Sequence, residues 1–142
     1  MEDSDTFYIS FNTDAGTSVP TLGTVQDEDI VKYDTGTWTL YFDGSDVGLG
    51  DSNAEDVDAF EILGGAVIVS TTGIPTIPSV TTPTPADEDL FQCVGSFGPT
   101  TTCAWSYYFE GSDVSLNTAA SEDEDGVAVS GADLYLSTLG AF

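Results

Sequence analysis

The residues best placed to do chemistry in this chain are carboxylates grouped in short acidic segments. Glycine or serine lies beside most of these segments, and the segments occur in the same order in both halves of the sequence. Loops of this kind suit Ca²⁺, which takes six to eight oxygen ligands at about 2.3–2.6 Å. The sequence therefore predicts divalent-cation sites, with Ca²⁺ as the ion.

The predicted ligands follow from spacing. In an extended segment, residues two apart point to the same side, so acidic pairs at this spacing present their carboxylates together. We predict one site in each repeat, where such pairs meet an acidic Gly-Ser turn. The first set is Asp27, Asp29, Asp43, Asp46, Glu55, Asp56 and Asp58. The second set is Asp87, Asp89, Glu110, Asp113, Glu122, Asp123 and Asp125.

Two other interpretations of the acidic segments stay open. Acidic turns can cap strand ends and remain solvated, with Asp and Ser bonding to the local backbone. An acidic surface can also reflect adaptation to high salt. An EF-hand does not fit, because a loop starting at Ser121 places Ala132 where the twelfth-position Glu is required.

Three motifs recur in one order, which indicates an internal duplication. The segment YFDGSDVGL at Tyr41–Leu49 returns 67 residues later as YFEGSDVSL at Tyr108–Leu116. The acidic segment at Glu55–Asp58 returns at the same offset as Glu122–Asp125. A third motif, Asp-Glu-Asp followed by an apolar residue, begins at Asp27 and again 60 residues later at Asp87.

The charge balance of the 142-residue chain excludes several partners. The sequence holds 25 Asp and Glu and a single basic residue, Lys32, for a formal net charge of −24. Nucleic acid and anionic membrane surfaces would be repelled, because both are bound through Lys and Arg. No apolar run reaches the roughly 18 residues of a membrane span. Self-repulsion at this charge favours neutralisation by cations or salt.

The two cysteines predict a disulfide and a location. Cys93 and Cys103 flank a loop between strand-like segments, where a hairpin would bring them together. Closing this loop contributes roughly 2.5–3 kcal/mol on the chain-entropy model. Two buried free thiols are the alternative. A disulfide favours an extracellular or cell-surface protein, and the absence of a signal-peptide pattern is compatible with a mature or excised form.

The residue types do not favour an enzyme. The chain has no His and no Arg, so nucleophile–base pairs lack members. Trp38 and Trp105 offer an alternative function, a carbohydrate-binding or adhesion module, although alternating apolar strands favour core positions for both.

The elements that must position these residues are short strands. Apolar residues alternate in several segments, with Trp38, Leu40 and Phe42 predicted on one face and Trp105, Tyr107 and Phe109 on one face of the counterpart. A hairpin is predicted over Gly64-Gly65. We predict an all-β, antiparallel two-sheet sandwich of about nine short strands, with propeller-blade-like sheets as the alternative. The predicted single domain, 1–142, divides into repeat 1 at about 6–70, a Thr/Pro linker at 71–85, repeat 2 at about 86–131 and a closing strand at 132–142.

One strand type occurs three times, as Phe7–Ser10, Val67–Ser70 and Leu134–Ser137. The chain therefore starts with the strand type on which it ends. Such strands can complete one sheet, or they can join the end of one molecule to the start of the next. We predict head-to-tail self-association into a filament or surface array.

The quoted motifs resemble an acidic tandem repeat of secreted bacterial cell-surface proteins. In that group a DED-I motif, an LYFDGSDVGL motif and an ED-VDA motif recur in tandem. The likeness spans 27–60 closely and 87–129 loosely, since the second copy has Glu110 for Asp and Ser115 for Gly. The resemblance implies an exported, surface-located protein and implies no activity.

Overall fold

The described part of the chain folds into antiparallel β-sheets. The computed structural model describes residues 5–13, 16–50, 53–116 and 122–140. Within these ranges there are eleven strands and two short 3-10 turns, Ser45–Val47 and Gly111–Val114. The all-β fold class is confirmed. The described strands number eleven rather than about nine, because short strands within the Gly- and Thr-rich segment before Asp27 also pair. Residues 141–142 of the predicted closing strand lie outside the described residues.

The strand boundaries follow the alternating apolar segments. The first repeat contains β1 (Thr6–Ile9), β2 (Thr17–Val19), β3 (Gly23–Val25), β4 (Ile30–Asp34), β5 (Thr37–Phe42), β6 (Val57–Leu63) and β7 (Ala66–Thr71). The second contains β8 (Leu90–Ser96), β9 (Thr102–Phe109), β10 (Glu124–Ser130) and β11 (Asp133–Thr138).

The strands form four sheets, and the largest sheet joins the two repeats. Its order is β6-β7-β8-β9, beside a three-stranded sheet β1-β4-β5 and two-stranded sheets β2-β3 and β10-β11. Strands β7 and β8 are paired, although the Thr/Pro segment lies between them in the sequence. That segment does not act as a plain linker, because Ile77 and Val80 within it are buried in the core.

A common core holds the two larger sheets together. Ile30 and Phe42 from the three-stranded sheet pack in one cluster with Val67, Val69 and Phe91 from the four-stranded sheet. Each of these side chains is fully buried. Full burial of such a side chain contributes roughly 1.5–3 kcal/mol. The packing of two sheets over one core is the arrangement expected of a sandwich.

A β-bulge in each repeat changes the faces that alternation predicts. Leu40 pairs with Val31 and Phe42 with Ile30, so Tyr41 is the extra residue. Ile30 and Val31 are consecutive and point to opposite faces, so Leu40 and Phe42 do as well. The prediction that Trp38, Leu40 and Phe42 share one face is therefore wrong at Phe42.

The second repeat has the same bulge. Tyr107 pairs with Phe91 and Phe109 with Leu90, which leaves Tyr108 as the extra residue. Tyr107 and Phe109 consequently lie on opposite faces, contrary to the prediction.

The disulfide is confirmed. Cys93 and Cys103 are bonded across the β8–β9 hairpin, with their Cα atoms 5.3 Å apart. The cross-link lies next to the shared core, because Cys93 is fully buried. The predicted hairpin over Gly64-Gly65 is also present and joins β6 to β7. Among the described residues, none of the helices is long and apolar enough to cross a membrane.

Candidate metal centre

The last aspartate of each Asp-Glu-Asp motif is a backbone clamp. The Asp29 carboxylate accepts hydrogen bonds from the backbone N–H of Gln26 (3.0 Å) and of Gly44 (3.1 Å). Asp89 repeats this arrangement with Ala86 (2.9 Å) and Gly111 (2.9 Å). Each clamp ties the Asp-Glu-Asp loop to the Gly-Ser turn of its own repeat. Both oxygens of these carboxylates are therefore engaged by the protein itself.

The glycine of each acidic turn is required because the turn lies close to the backbone of the Asp-Glu-Asp motif. A Cβ atom at Gly44 would lie 2.5 Å from the Glu28 backbone oxygen, and one at Gly111 would lie 2.7 Å from that of Glu88. Such distances exclude any larger residue without backbone movement. The close approach explains why the sequence retains glycine after Asp43 in one copy and after Glu110 in the other.

The remaining turn carboxylates bond within their turn or across the repeats. The Asp43 carboxylate accepts from the Ser45 hydroxyl (2.7 Å) and Glu110 accepts from Ser112 (2.9 Å). Asp46 accepts from the backbone N–H of Thr101 (2.8 Å), which links the first turn to the β8–β9 hairpin. Asp113 is exposed. These contacts hold the turns in place and leave Asp113 directed to solvent.

Glu55 is a third clamp. Its carboxylate accepts from the backbone N–H of Gly50 (2.8 Å) and of Thr76 (3.0 Å). The adjacent segment is tied to the Asp-Glu-Asp loop, because the Val57 N–H donates to the Asp27 backbone oxygen (3.0 Å). The three motifs of the first repeat therefore meet.

A second group of carboxylates meets between the repeats. Bulges make Asp58 the extra residue of β6 and Asp125 the extra residue of β10. Strand β10 packs beside β6, so an acidic segment of one repeat lies against that of the other. Bulges of this kind re-aim a side chain. We call Asp58, Glu88, Asp123 and Glu124 the inter-repeat cluster.

Glu124 is the centre of the inter-repeat cluster. Its side chain is fully buried, and among the described residues neither of its carboxylate oxygens has a hydrogen-bond partner. Burial, followed by the charges of Asp123, Glu88 and Asp58, raises the pKa of Glu124 to about 7. An ionised carboxylate in this position lacks both solvent and a counter-charge.

The neighbours of Glu124 are perturbed in the same direction. Burial followed by the charge of Asp123 raises the pKa of Asp58 to about 7. The nearby Ser70 hydroxyl acts in the opposite direction and lowers the pKa of Asp58. Neither this hydroxyl nor the Asp58 carboxylate has a hydrogen-bond partner among the described residues. Burial also raises the pKa of Asp123 to about 6 and that of Glu88 to about 7. The inter-repeat cluster therefore holds four carboxylates whose ionised forms are disfavoured by burial and by neighbouring negative charges.

The predicted sites are thus partly rearranged. Asp58 lies with the second repeat, while Asp125 is exposed and accepts from the Ser137 hydroxyl (2.7 Å). Asp27, Asp56 and Glu122 are buried at their motifs, and Asp87 is half-buried. Asp29, Asp89 and Glu55 are clamps.

Sequence reasoning missed three glutamates, Glu28, Glu88 and Glu124, which the structure buries. One signal could have identified Glu124. It occupies the position of Val57 in the first repeat, and Val57 is fully buried. A carboxylate where the sister repeat has a core valine predicts a buried charge.

The tryptophans act in packing. The Trp105 indole N–H donates to the Val47 backbone oxygen (2.9 Å), and its ring packs edge-on against Phe42. Trp38 packs against Phe7 and Tyr33 on the three-stranded sheet. Both rings are half-buried, as core packing predicts.

In the ranges described, no three or more acidic or cysteine side chains are arranged in a group that could hold a metal ion. No protein-family model, curated protein or solved structure matches this chain.

Proposed function

We propose that this chain is an extracellular structural repeat protein that binds Ca²⁺ at the inter-repeat cluster and associates with itself. The observation that supports the cation site best is Glu124, a fully buried carboxylate without a hydrogen-bond partner among the described residues. Buried charges in proteins are paired, bound to a metal or neutralised by a proton. A hard cation supplies the missing charge and accepts carboxylate oxygens as ligands.

Among the described residues, no cationic group is positioned to do this. Lys32 is the one basic side chain in the sequence, and its ammonium pairs with Asp34 at 2.7 Å on the three-stranded sheet. The cluster carboxylates must therefore take up protons or recruit an ion. At a pH above about 7 the proton is lost, which leaves the ion.

The proposed site is completed by side-chain rotation. Glu124 begins β10 and Asp123 directly precedes it, Asp58 comes from the bulge of β6 and Glu88 from the loop before β8. Since these are separate elements, an ion shared among them would join the two repeats. The proposed role of the ion is structural, a cross-link between acidic segments that would otherwise repel one another.

The setting favours this role. The Cys93–Cys103 disulfide is compatible with an oxidising compartment. Extracellular modules bind Ca²⁺ with dissociation constants of roughly 10⁻⁴–10⁻³ M, which partly preformed sites can reach. We therefore propose an extracellular location, which the resemblance to secreted surface repeats also implies.

Thermal unfolding tests the proposal. Melting curves of the full chain are measured in EDTA, in increasing free Ca²⁺ and in NaCl of matched ionic strength. Ligand linkage predicts a midpoint that rises with free Ca²⁺ beyond the salt effect. The double variant Asp123→Asn/Glu124→Gln should lose most of this rise, whereas Glu61→Gln/Asp133→Asn, which alters two carboxylates outside the cluster, should retain it.

Three coincident curves for the wild-type chain would overturn the cation site and favour simple salt adaptation. Equal Ca²⁺ responses in the two double variants would place the ion elsewhere. Isothermal titration calorimetry with Ca²⁺ gives the stoichiometry, for which we expect one site at the inter-repeat cluster.

A further inference from the structure

Strands β1 and β7 occupy equivalent places in their sheets. Strand β1 pairs with β4 through Phe7↔Tyr33, Tyr8↔Lys32 and Ile9↔Val31. Strand β7 pairs with β8 through the residues 60 positions later in every case: Val67↔Cys93, Ile68↔Gln92 and Val69↔Phe91. Strand β1 therefore occupies, beside β4, the place that β7 occupies beside β8.

Strand β11 is the third member of this set, and among the described residues one of its edges has no partner strand. It follows β10 as β7 follows β6, with Leu134, Tyr135 and Leu136 at the positions of Val67, Ile68 and Val69. Within the described chain β11 pairs with β10 alone. The three β7 residues are fully buried, whereas Tyr135 is 57% exposed. An open edge of this kind is a template for another strand.

We propose that β11 of one molecule replaces β1 in a second copy of the chain and pairs with β4 there. This inference deepens the self-association in the proposed function and rests on it. The pairing would be Leu134↔Tyr33, Tyr135↔Lys32 and Leu136↔Val31. The resulting sheet, β10-β11 of one copy with β4-β5 of the next, reproduces the order of the β6-β7-β8-β9 sheet. Exchange of equivalent strands has a low energetic cost, because the backbone pairing lost between β1 and β4 is replaced by pairing between β11 and β4.

The exchange would also complete the acidic site of the first repeat. Within one chain, the bulge residue Asp58 of β6 lies beside Asp123 and Glu124 of the following repeat. Asp125 is the corresponding bulge residue of β10. The docked β10 would bring Asp125 of the first molecule to Glu28 of the second copy, whose carboxylate is buried with one oxygen lacking a hydrogen-bond partner among the described residues.

A disulfide lock on β1 tests the exchange. Tyr8 and Lys32 are directly opposed in the β1–β4 pair, so Tyr8→Cys/Lys32→Cys joins the two strands when oxidised. The matched control is Lys32→Cys/Thr39→Cys, which joins β4 to β5 and leaves β1 free. Both variants are compared with the wild-type full chain by sedimentation velocity over a concentration series in Ca²⁺.

We expect wild type and the β4–β5 control to form dimers and larger species, and the oxidised β1-locked variant to remain monomeric. Equal association of the two locked variants would overturn the exchange, as would a wild-type chain that stays monomeric throughout. A second measurement mixes Tyr135→Cys with Lys32→Cys chains, which should form a mixed disulfide, whereas Tyr135→Cys with Thr39→Cys should not.

The two proposals fail separately. The Ca²⁺-dependent melting midpoint of the monomeric β1-locked variant reports on the inter-repeat cluster alone. A lost calcium response with intact strand exchange overturns the cation site, and the reverse overturns the exchange.

Discussion

Replacing Glu124 by glutamine should have opposite effects in the absence and presence of Ca²⁺. Glutamine keeps the size and shape of the side chain and cannot ionise. Glu124 is fully buried among carboxylates, and burial raises its pKa from 4.5 to about 7. In EDTA at pH 8 Glu124 of the folded wild-type chain must carry its negative charge while buried, whereas the glutamine of the variant stays neutral.

The expected gain follows from the pKa shift. One pKa unit corresponds to about 1.4 kcal/mol, so a rise from 4.5 to about 7 destabilises the wild-type fold by roughly 3 kcal/mol above pH 7. The buried amide of glutamine lacks a partner as well, which reduces the net gain to about 2 kcal/mol. For a chain of this size the melting midpoint in EDTA should rise by roughly 5–10 °C.

The assay is thermal unfolding of the wild-type chain, Glu124→Gln and the control Glu61→Gln at pH 8. In EDTA we expect Glu124→Gln to be the most stable of the three. In saturating Ca²⁺ its advantage should shrink or reverse, because it has lost a carboxylate ligand. A variant that is less stable than the wild type in EDTA would refute the reasoning, since Glu124 would then have a stabilising partner.

Three further predictions follow from the site. In EDTA the free energy of unfolding should fall as pH rises from about 5 to 8. The reason is that pKa values raised to near 7 let the folded inter-repeat cluster hold protons that the unfolded chain releases. Urea titrations at each pH measure this free energy, and saturating Ca²⁺ should flatten its pH dependence. Asp29→Ala should cost about 2–4 kcal/mol with and without Ca²⁺, because two backbone N–H groups lose their acceptor; an effect confined to Ca²⁺ would instead make Asp29 a ligand. Gly44→Ala should lower the free energy of unfolding, measured in urea, by more than about 2 kcal/mol. The control Gly64→Ala has nothing within 4 Å of the added methyl and should lie within about 0.5 kcal/mol of wild type. Equal effects of the two substitutions would contradict the close contact between Gly44 and Glu28.

Much of the architecture was predictable from local patterns. Alternating residues indicated strands, Gly64-Gly65 indicated a hairpin, and the cysteine positions indicated a cross-link, each because the deciding interactions lie close in sequence. The bulges at Tyr41 and Tyr108 were not predictable in this way, because a bulge is defined by the partner strand and leaves the alternation of its own strand unchanged.

The roles of the carboxylates depended on distant partners. Asp29 and Glu55 resemble cation ligands in the sequence, yet backbone N–H groups from other loops engage them. Glu124 lies in an acidic run that looks solvated, yet β6 and the loop before β8 bury it. Composition shows that such a chain has negative charge to neutralise, but it does not show which carboxylates lose their water.

The sequence alone determined the repeated motifs, the all-β class and the excess of negative charge, and it indicated the disulfide, since each depends on residue type and spacing. Only the tertiary structure decided which carboxylates clamp the backbone, which are buried together, and that they meet between the repeats rather than within them. The physical reason is that the ionisation and partners of a carboxylate depend on the groups packed against it. Here those groups come from strands far apart in the chain.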